Sequence, residues 1–380
     1  MPENIPKHTK LLVISDTGMF YENGLTFAFG PVVKELTELD CFERIVWVGF
    51  NRIDQIGNKS YLEIKDPRIS TKFLSNTGGK SLYLKLFIIL RYPVYILKIL
   101  KEILKSNYIH IRAPSHPAVI TMFLSYFFPK KKFWFKYAGD WKGKAPFFYS
   151  LQRRWLKKLG KNSKITVNGI WPEQPDNILG FENPCLDAAD RASGKSIIAS
   201  KNIHNKIDYC FVGGLNENKG SLMLLKAIKA MDLPDKFGSL HIVGSGHMKN
   251  KLQKLAESTP INIIFHGSLP KDEVVKIYKQ CHFLVLPSKS EGFPKVVGEA
   301  MNFGCVPIVS DISCIDQYVK DTTNGILIAP INVDAIINSL SMSMGFSKKA
   351  YREMIVYNFN LAERFTYDYY KKRIVFEIYN

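Results

Sequence analysis

A regular alternation of short apolar segments with helical segments runs through the second half of the chain and constrains its fold more than any other feature. Segments typical of buried strands occur at 207–212, 240–243, 261–265, 283–286 and 306–309, and segments typical of helices separate them. Strands that alternate with helices form parallel sheets covered on both faces. This half is therefore predicted to be a doubly wound α/β domain that binds ligands at the carboxyl ends of its strands.

The first half shows a weaker version of the same pattern. Short apolar segments lie at 10–14, 44–49, 108–112 and 133–137. A loop over residues 15–18 follows the first of them, and a helix is predicted from there towards Leu39. We therefore expect a second Rossmann-like domain at the N-terminus.

The length of 380 residues fits two domains, and composition suggests where they divide. Residues 186–206 are small, polar and broken by glycine, which is typical of a linker. We predict an N-terminal domain at 1–185 and a C-terminal domain at 207–355. Residues 356–380 form a helical tail that is expected to cross back to the N-terminal domain.

Positive charge is concentrated in one part of the chain. The net charge is +18, yet residues 51–164 alone carry 24 basic and 5 acidic side chains. A uniformly basic protein is thereby excluded, and one domain is expected to meet an anionic partner. Basic residues interleaved with aromatic ones suit anionic headgroups or single-stranded nucleic acid. Because no nucleic-acid motif is present, we expect no nucleic acid and assign the stretch to an anionic membrane surface.

The most apolar stretch, Leu82 to Leu104, contains too many charges for a spanning helix. Its part after Pro93 predicts a basic amphipathic helix, which can lie in a membrane interface. The alternative is a core helix with a solvated basic edge. No signal peptide is expected at the N-terminus. The six cysteines form no CxxC pair and no cluster with metal spacing, so no metal site is expected.

The strongest motif is SKSEGFPKVVGEA at residues 288–300. Glu291 lies in a loop after a strand, and Glu299 lies inside the helix that follows Pro294. The free N–H groups at such a helix start favour a phosphate, and sugar hydroxyls can donate to both carboxylates. The alternative is two solvated glutamates near a helix start.

Two glycine-containing turns follow earlier strands of the same domain. Gly213 and Gly214 allow close approach to a ligand, and Lys219 can neutralise a phosphate. The spacing differs from that of a P-loop. Gly244 begins a second tight turn, which by itself indicates little.

Together and in this order, the three motifs resemble those of retaining GT-B glycosyltransferases of family 4 (group 1), of the bacterial surface-polysaccharide type. The segment LVLPSKSEGFPKVVGEAMNFGCVPIV at 284–309 carries most of the resemblance, which is strong over about 207–330. The resemblance implies an α/β fold of GT-B architecture. Two Rossmann-like, doubly wound domains face a cleft in that architecture, and C-terminal helices pack back towards the N-terminal domain.

The resemblance also implies roles for residues of the donor side. Glu291 contacts hydroxyls of the donor sugar, Glu299 holds the ribose hydroxyls, and Lys219 binds the diphosphate and helps it leave. The other implied donor-binding residues are Gly213, Gly214, Gly244, Ser288, Gly292, Phe293, Pro294 and Lys295. Gly214 stands where the family usually has arginine, so one cation on the diphosphate is missing.

The resemblance implies that the N-terminal domain at 1–185 binds the acceptor. Acceptor residues are expected after its strands, and the candidates are Asp16, Gly18, Arg112, His116 and Asp140. Asp140 is the nearest polar replacement for a histidine that the family often has, and we assign it a catalytic role. The alternative for Asp140 is a turn residue, and for His116 it is packing or loop capping.

The resemblance thus predicts a hexosyltransferase-type enzyme that moves a sugar from a nucleotide-diphosphate sugar to a lipid-linked or membrane-proximal saccharide. The context is synthesis of capsule, lipopolysaccharide or exopolysaccharide. No cofactor or metal is expected besides the nucleotide-sugar co-substrate. The expected location is cytoplasmic, peripheral on the inner face of the cytoplasmic membrane. The alternatives are a nucleotide-sugar epimerase or phosphorylase on the same fold, or a basic non-catalytic polyanion-binding protein.

Overall fold

The chain divides into two α/β units, one formed by residues 1–181 with 370–380 and the other by residues 182–369. The computed structural model describes residues 9–58, 60–75, 82–232 and 235–379. Parts of two sequence predictions lie outside the described residues: residues 1–8 of the N-terminus, and residues 59 and 76–81 of the basic stretch.

The first unit is built on one mostly parallel sheet. Its strands are β1 (Lys10–Glu22), β2 (Leu25–Phe29), β3 (Arg44–Asn51), β4 (Tyr61–Glu63), β5 (Ile69–Leu74), β6 (Tyr108–Ala113), β7 (Lys132–Tyr137), β8 (Ser163–Val167) and β9 (Ile178–Gly180). The parallel strands lie in the order β5-β3-β1-β6-β7-β8-β9. β2 and β4 extend the sheet with antiparallel pairings beside the second half of β1.

The segment after the first strand differs from its prediction as a loop and a helix. β1 continues through residues 15–18 with an irregular register, and it turns at Asn23-Gly24 into β2. Both turn residues have positive φ, which is the geometry that Asn-Gly favours in a two-residue hairpin. The predicted helix begins only at Gly30, with Pro31 in its first turn, and is α1 (Gly30–Thr37).

Helices cover both faces of this sheet. α2 (Leu82–Leu104), α3 (His116–Ser125) and α4 (Phe147–Leu156) lie on one face, where Tyr95, Ile99 and Leu156 share a buried cluster with β6 and β7. α1 lies on the other face together with the end of the chain. Tyr370, Ile374 and Ile378 belong to the same buried cluster as apolar side chains of α1 and β3, so the C-terminal helices do return to the first unit.

The second unit contains an entirely parallel sheet. Its strands are β10 (Ile207–Val212), β11 (Phe237–Val243), β12 (Ile263–Gly267), β13 (Phe283–Leu286), β14 (Val306–Ser310) and β15 (Ile326–Ile328). The order is β12-β11-β10-β13-β14-β15, in which the chain runs outwards in both directions from β10 and β13. Ligands of open α/β sheets bind where the strand order reverses, which here lies between β10 and β13.

Eight α-helices complete the described part of the second unit and of the chain's end. They are α5 (Ala188–Ser200), α6 (Ser221–Ala230), α7 (Lys249–Ala256), α8 (Lys271–Gln280), α9 (Lys295–Asn302), α10 (Val333–Gly345), α11 (Lys348–Leu361) and, across the boundary between the units, α12 (Tyr367–Arg373). α5 occupies most of the segment expected to be a linker. Asp187 and Asp190 form a reciprocal capping box that starts it, which explains a helix in so polar a segment.

No helix in the described part of the chain is long and apolar enough to cross a bilayer. The doubly wound α/β fold of both halves, with the C-terminal helices returning to the first, is confirmed.

Candidate functional site

Two loops meet at the carboxyl edge of the second sheet, between β10 and β13. The loop after β10 contains Asn218, whose backbone oxygen accepts a hydrogen bond from Lys289 N at 2.7 Å. The Asn218 side chain donates to the backbone oxygen of Ser290 at 2.8 Å. These two bonds hold the predicted donor motifs side by side, although about 70 residues separate them in the chain.

Lys219 and Glu291 form an ion pair at this junction. The Lys219 Nζ and Glu291 Oε1 atoms are 2.5 Å apart, and their side chains are 25% and 12% exposed. A cation and a carboxylate that are partly shielded from water, yet still accessible, can bind an anion and a hydroxyl at neighbouring positions. The structure therefore brings together the two residues predicted to act on the diphosphate and on the sugar.

Two helices begin beside this pair without a side-chain cap. α6 starts after Gly220, whose φ of 77° is in the left-handed region. A side chain at Gly220 would overlap the backbone oxygen of Pro287, so glycine allows the two loops to approach. α9 starts at Lys295, also with no cap from a side chain. The first N–H groups of an uncapped helix, together with the helix dipole, favour a bound phosphate.

Buried hydroxyl groups lie next to these helix starts. Ser221 and Ser288 are almost fully buried, and within the described residues neither hydroxyl has a hydrogen-bond partner. Buried polar atoms without partners are uncommon and cost free energy. A bound ligand with polar atoms at this junction offers them partners.

Glu299 lies one turn inside α9. Its Oε2 atom accepts a hydrogen bond from the Tyr278 hydroxyl at 3.2 Å. Burial raises the pKa of the Glu299 carboxyl, and the nearby charges of Lys271 and Lys295 oppose this shift. A half-buried carboxylate with few donors around it can accept hydrogen bonds from vicinal hydroxyls, such as those of a ribose.

The second glycine-containing turn, at Gly244, also lies at this junction. Gly244 has a φ of 140°, and its N–H donates to the backbone oxygen of Gly267 at 2.7 Å. A side chain at Gly244 would overlap the backbone oxygen of Gly213. Leu215 N donates to Ser245 O at 2.9 Å, so the turns after β10, β11 and β12 form one connected layer.

Phe293 and Pro294 are predicted donor residues whose side chains are buried in the second unit. The Phe293 ring is buried and stacks on Phe365 with ring centroids 4.9 Å apart, and Pro294 is also buried. The Phe293 side chain thus stabilises the core of the second unit and leaves only its backbone for a ligand. The space beside the Gly214 Cα atom is largely unoccupied, since an added Cβ would contact only the Asn216 amide nitrogen.

The acceptor-side candidates of the first unit follow neighbouring strands. Asp16 is exposed in the irregular part of β1, and Gly18 packs against the Arg52 and Tyr61 side chains. Arg112, at the end of β6, donates to the buried Glu35 carboxylate at 3.0 Å. That ion pair holds Arg112 in the interior of the unit.

His116 and Asp140 both have local structural roles. His116 begins α3, lies 2.9 Å from the Tyr92 hydroxyl through Nδ1, and stacks on Phe148. Asp140 Oδ1 accepts hydrogen bonds from the backbone N–H groups of residues 142 and 143 at 3.1 and 2.9 Å. These contacts match the packing and turn alternatives given by the sequence, and they leave room for a second role.

Three polar residues of the site are missing from the sequence prediction: Asn216, Asn218 and Tyr278. Asn216 Oδ1 accepts from the backbone N–H groups of 218 and 219, which shapes the loop that carries Lys219. The NENKG segment signals such a turn, but nothing in it indicates the Ser290 contact. Within the described residues, no group of three or more His, Cys, Asp or Glu side chains could hold a metal ion.

The family model of glycosyl transferases group 1 matches residues 195–354, which contain every residue of this junction. An uncharacterized glycosyltransferase of Methanocaldococcus jannaschii is 29% identical over 56% of this chain and 52% of its own length. A UDP-Gal:α-D-GlcNAc-diphosphoundecaprenol α-1,3-galactosyltransferase of Escherichia coli is 30% identical over 42% of this chain and 43% of its own. The chain spans about half the length of the curated relatives it matches.

Solved structures show the same fold over the whole chain. The Anabaena protein HepE, solved with UDP and glucose, superposes with a TM-score of 0.67 at 13% identity and covers 97% of this chain and 98% of its own. The fold of the chain is therefore the GT-B fold.

Proposed function

We propose that this chain, whose residues 195–354 match the family model of glycosyl transferases group 1, is a glycosyltransferase that uses a nucleotide-diphosphate sugar. The acceptor is a hydroxyl of a lipid-linked or membrane-proximal saccharide in surface polysaccharide synthesis. The observation that carries the proposal is the Lys219–Glu291 pair between two uncapped helix starts at the strand-order switch. The E. coli relative, named for a diphosphoundecaprenol-linked acceptor, supports the acceptor class.

The donor lies across the junction with its diphosphate at Lys219 and the starts of α6 and α9. Lys219 stabilises the negative charge that develops on the leaving diphosphate. Glu291, 2.5 Å from Lys219, accepts hydrogen bonds from hydroxyls of the transferred sugar. Glu299 accepts hydrogen bonds from the ribose, with its carboxylate oriented by Tyr278. The nucleotide thus binds along α9, and the sugar binds at the β10–β13 switch.

The transfer proceeds with retention at the anomeric carbon. The bond from that carbon to the leaving phosphate oxygen breaks through an oxocarbenium-like transition state, and the bond to the acceptor oxygen forms on the same face. The departing phosphate oxygen takes the acceptor proton. Lysine and helix N–H groups neutralise the diphosphate, so no protein-bound metal is required for this step.

The acceptor binds to the first unit at the carboxyl ends of its strands, where Asp16, Gly18, Arg112, His116 and Asp140 are the candidates. Asp140 is the proposed catalytic residue of that side. The variant Asp140→Asn preserves the turn, because its amide oxygen also accepts from the backbone N–H groups of residues 142 and 143. We expect it to lower transfer about tenfold or more with unchanged donor affinity. Wild-type transfer by Asp140→Asn would reduce Asp140 to a turn residue.

The proposed location is the inner face of the cytoplasmic membrane, to which the protein binds peripherally through the basic stretch 51–164. The excess of positive charge in that stretch supports this location, since anionic lipids attract such segments. The donor site needs only a few cations, which leaves most of the basic side chains for another anionic partner.

Sugar transfer to a membrane extract tests the proposal. Purified protein is incubated with a mixture of nucleotide sugars and the extract, and lipid-linked products are identified by mass spectrometry. We expect one sugar to be transferred and Glu291→Gln to lower its transfer about a hundredfold. Glu273→Gln on α8, where the side chain is 46% exposed, is the control and is expected to have no effect. Conversion of the donor without an acceptor would indicate an epimerase or a phosphorylase. Binding of polyanions without any nucleotide-sugar affinity would indicate a non-catalytic binder.

A further inference from the structure

One face of the first unit is formed by the outer sides of α2, α3 and α4. The inner sides of these helices share one apolar cluster on the sheet, so their outer sides form a continuous surface. Tyr92 of α2 contacts His116 of α3, and His116 stacks on Phe148 of α4. At the other end of α3, Tyr126 accepts a hydrogen bond from the Trp155 indole of α4 at 3.1 Å. We call this surface the α2–α4 face.

Apolar side chains form a row along the exposed side of α2. Leu90, Val94, Leu97 and Leu104 are spaced four, three and seven residues apart, which places them on one side of the helix. Leu90 is 71% exposed and Leu97 is 66% exposed. Tyr95 and Ile99 lie on the opposite, core-facing side of the same helix. The row is therefore a second apolar surface, and within the described residues its side chains are exposed.

The neighbouring helices add large apolar side chains to the α2–α4 face. Phe123 and Phe127 at the end of α3 are exposed and contact each other, with ring centroids 5.2 Å apart. Phe147, at the start of α4, is 83% exposed, and Leu151 is exposed one turn later. Exposed apolar patches of this kind mark interaction sites.

Basic side chains surround these apolar ones. Those exposed on or next to the three helices are Arg91, Lys98, Lys101, Lys105, Lys130, Lys142, Lys144, Arg154, Lys157 and Lys158. Over residues 90–161 the chain has two acidic residues, Glu102 and Asp140. Glu102 is buried beside Lys10, and Asp140 Oδ1 accepts two backbone hydrogen bonds. The exposed part of this face is therefore apolar and strongly positive.

We propose that the α2–α4 face docks on a bilayer containing anionic lipids, with the row Leu90–Leu104 and Phe147 inserted among the headgroups. Leucines between lysines on one exposed helix side are typical of interfacial helices, because the apolar side chains enter the bilayer and the lysines meet phosphates. A single-stranded nucleic acid stacks on exposed aromatic rings. The exposed row on α2 is aliphatic, which favours the bilayer. The inference deepens the proposed peripheral location and rests on it for its biological meaning, but vesicle binding is independent of the donor site.

Cosedimentation with vesicles of phosphatidylglycerol and phosphatidylcholine, compared with phosphatidylcholine alone, tests the proposal. We expect Leu97→Glu and Phe147→Glu each to weaken binding to the anionic vesicles about tenfold. Phe376→Glu is the matched control, since Phe376 is 69% exposed in the C-terminal segment on the other side of the sheet. Unchanged urea midpoints establish that the variants are folded.

A second pair of variants tests the charge. Lys101→Gln with Lys105→Gln removes two exposed charges from the face and is expected to weaken binding about tenfold. Lys348→Gln with Lys349→Gln removes the same number from the second unit and is expected to change nothing. Equal binding by both pairs, or equal binding to both kinds of vesicle, would overturn the proposal. So would tight binding of single-stranded RNA with no vesicle binding.

Failure of this inference is distinguishable from failure of the proposed function. The face variants leave Lys219 and Glu291 intact, so we expect them to keep nucleotide-sugar affinity while transfer to vesicle-embedded acceptors falls. A chain that binds vesicles through this face but transfers no sugar would refute the enzyme and leave the docking surface standing.

Discussion

Gly220→Ala is the substitution whose effect follows most directly from the structure. Gly220 has a φ of 77°, and an added Cβ would overlap the backbone oxygen of Pro287. A left-handed conformation costs a non-glycine residue about 1–2 kcal/mol, and forced overpacking costs about 1–3 kcal/mol more. We therefore expect the free energy of unfolding to fall by about 2–5 kcal/mol.

Two other glycines separate these contributions. Gly267 has a φ of 69° with nothing within 4 Å of an added Cβ, so Gly267→Ala carries the conformational cost alone. Gly345, at the end of α10, has neither strain nor a neighbour, and Gly345→Ala is expected to be neutral or slightly stabilising. Urea unfolding of the three variants measures the differences.

The rate of sugar transfer from the donor is the second measurement on the three glycine variants. An alanine at position 220 pushes Pro287 away and moves the loop that carries Glu291 relative to Lys219. A displacement of about 1 Å at a reacting group can cost about a hundredfold in rate. If Gly220→Ala were as stable as Gly267→Ala, or retained full turnover, the assigned contact between the two loops would be wrong.

Further predictions concern the interior of the first unit and the donor loop. Lys136→Met leaves the buried Glu35 carboxylate with one cation fewer and is expected to lower the free energy of unfolding by about 3 kcal/mol, measured by urea denaturation; an unchanged midpoint would argue against that buried pair. Burial lowers the pKa of His110 to about 3, so the unfolded chain binds a proton below about pH 6.5 that the folded chain does not. Stability is therefore lost as the pH falls from about 6.5 towards 3. His110→Phe, which can keep the stacking on Trp134, is expected to flatten that dependence, and an equally steep profile would count against it. Asn218→Ala removes the hydrogen bond to Ser290 and is expected to weaken donor binding about fivefold, measured by titration calorimetry. Unaltered affinity would show that donor binding does not depend on this hydrogen bond.

The sequence predicted five of the six strands of the second sheet, because each of the five contains a short apolar run bounded by turn residues. The spacing of hydrophobic residues is a weaker predictor of strands that are very short and half polar. β4 (Tyr61–Glu63), β9 (Ile178–Gly180) and β15 (Ile326–Ile328) are three residues each and were not predicted. The β1–β2 hairpin was missed although Asn23-Gly24 is a recognised signal for one.

The donor site was likewise predicted only in part from the sequence. Lys219 and Glu291 were each placed after a strand, and parallel strands bring such positions to one edge. Their direct pairing depends on the Asn218–Ser290 contact and on the missing side chain of Gly220, which are tertiary features. Phe293 was assigned to the donor because of its position in the motif, whereas packing against Phe365 turns its ring into the core.

The affinity for a nucleoside diphosphate tests the central claim most directly. If the diphosphate binds at Lys219 between the starts of α6 and α9, Lys219→Met loses a charge-assisted interaction worth about 1.5–3 kcal/mol. We expect calorimetry to show an affinity about 10–100-fold weaker than that of the unaltered chain. Lys226→Met, which removes an exposed lysine from α6, is expected to bind as the unaltered chain does. Equal affinities for all three proteins would contradict the placement of the donor at this junction.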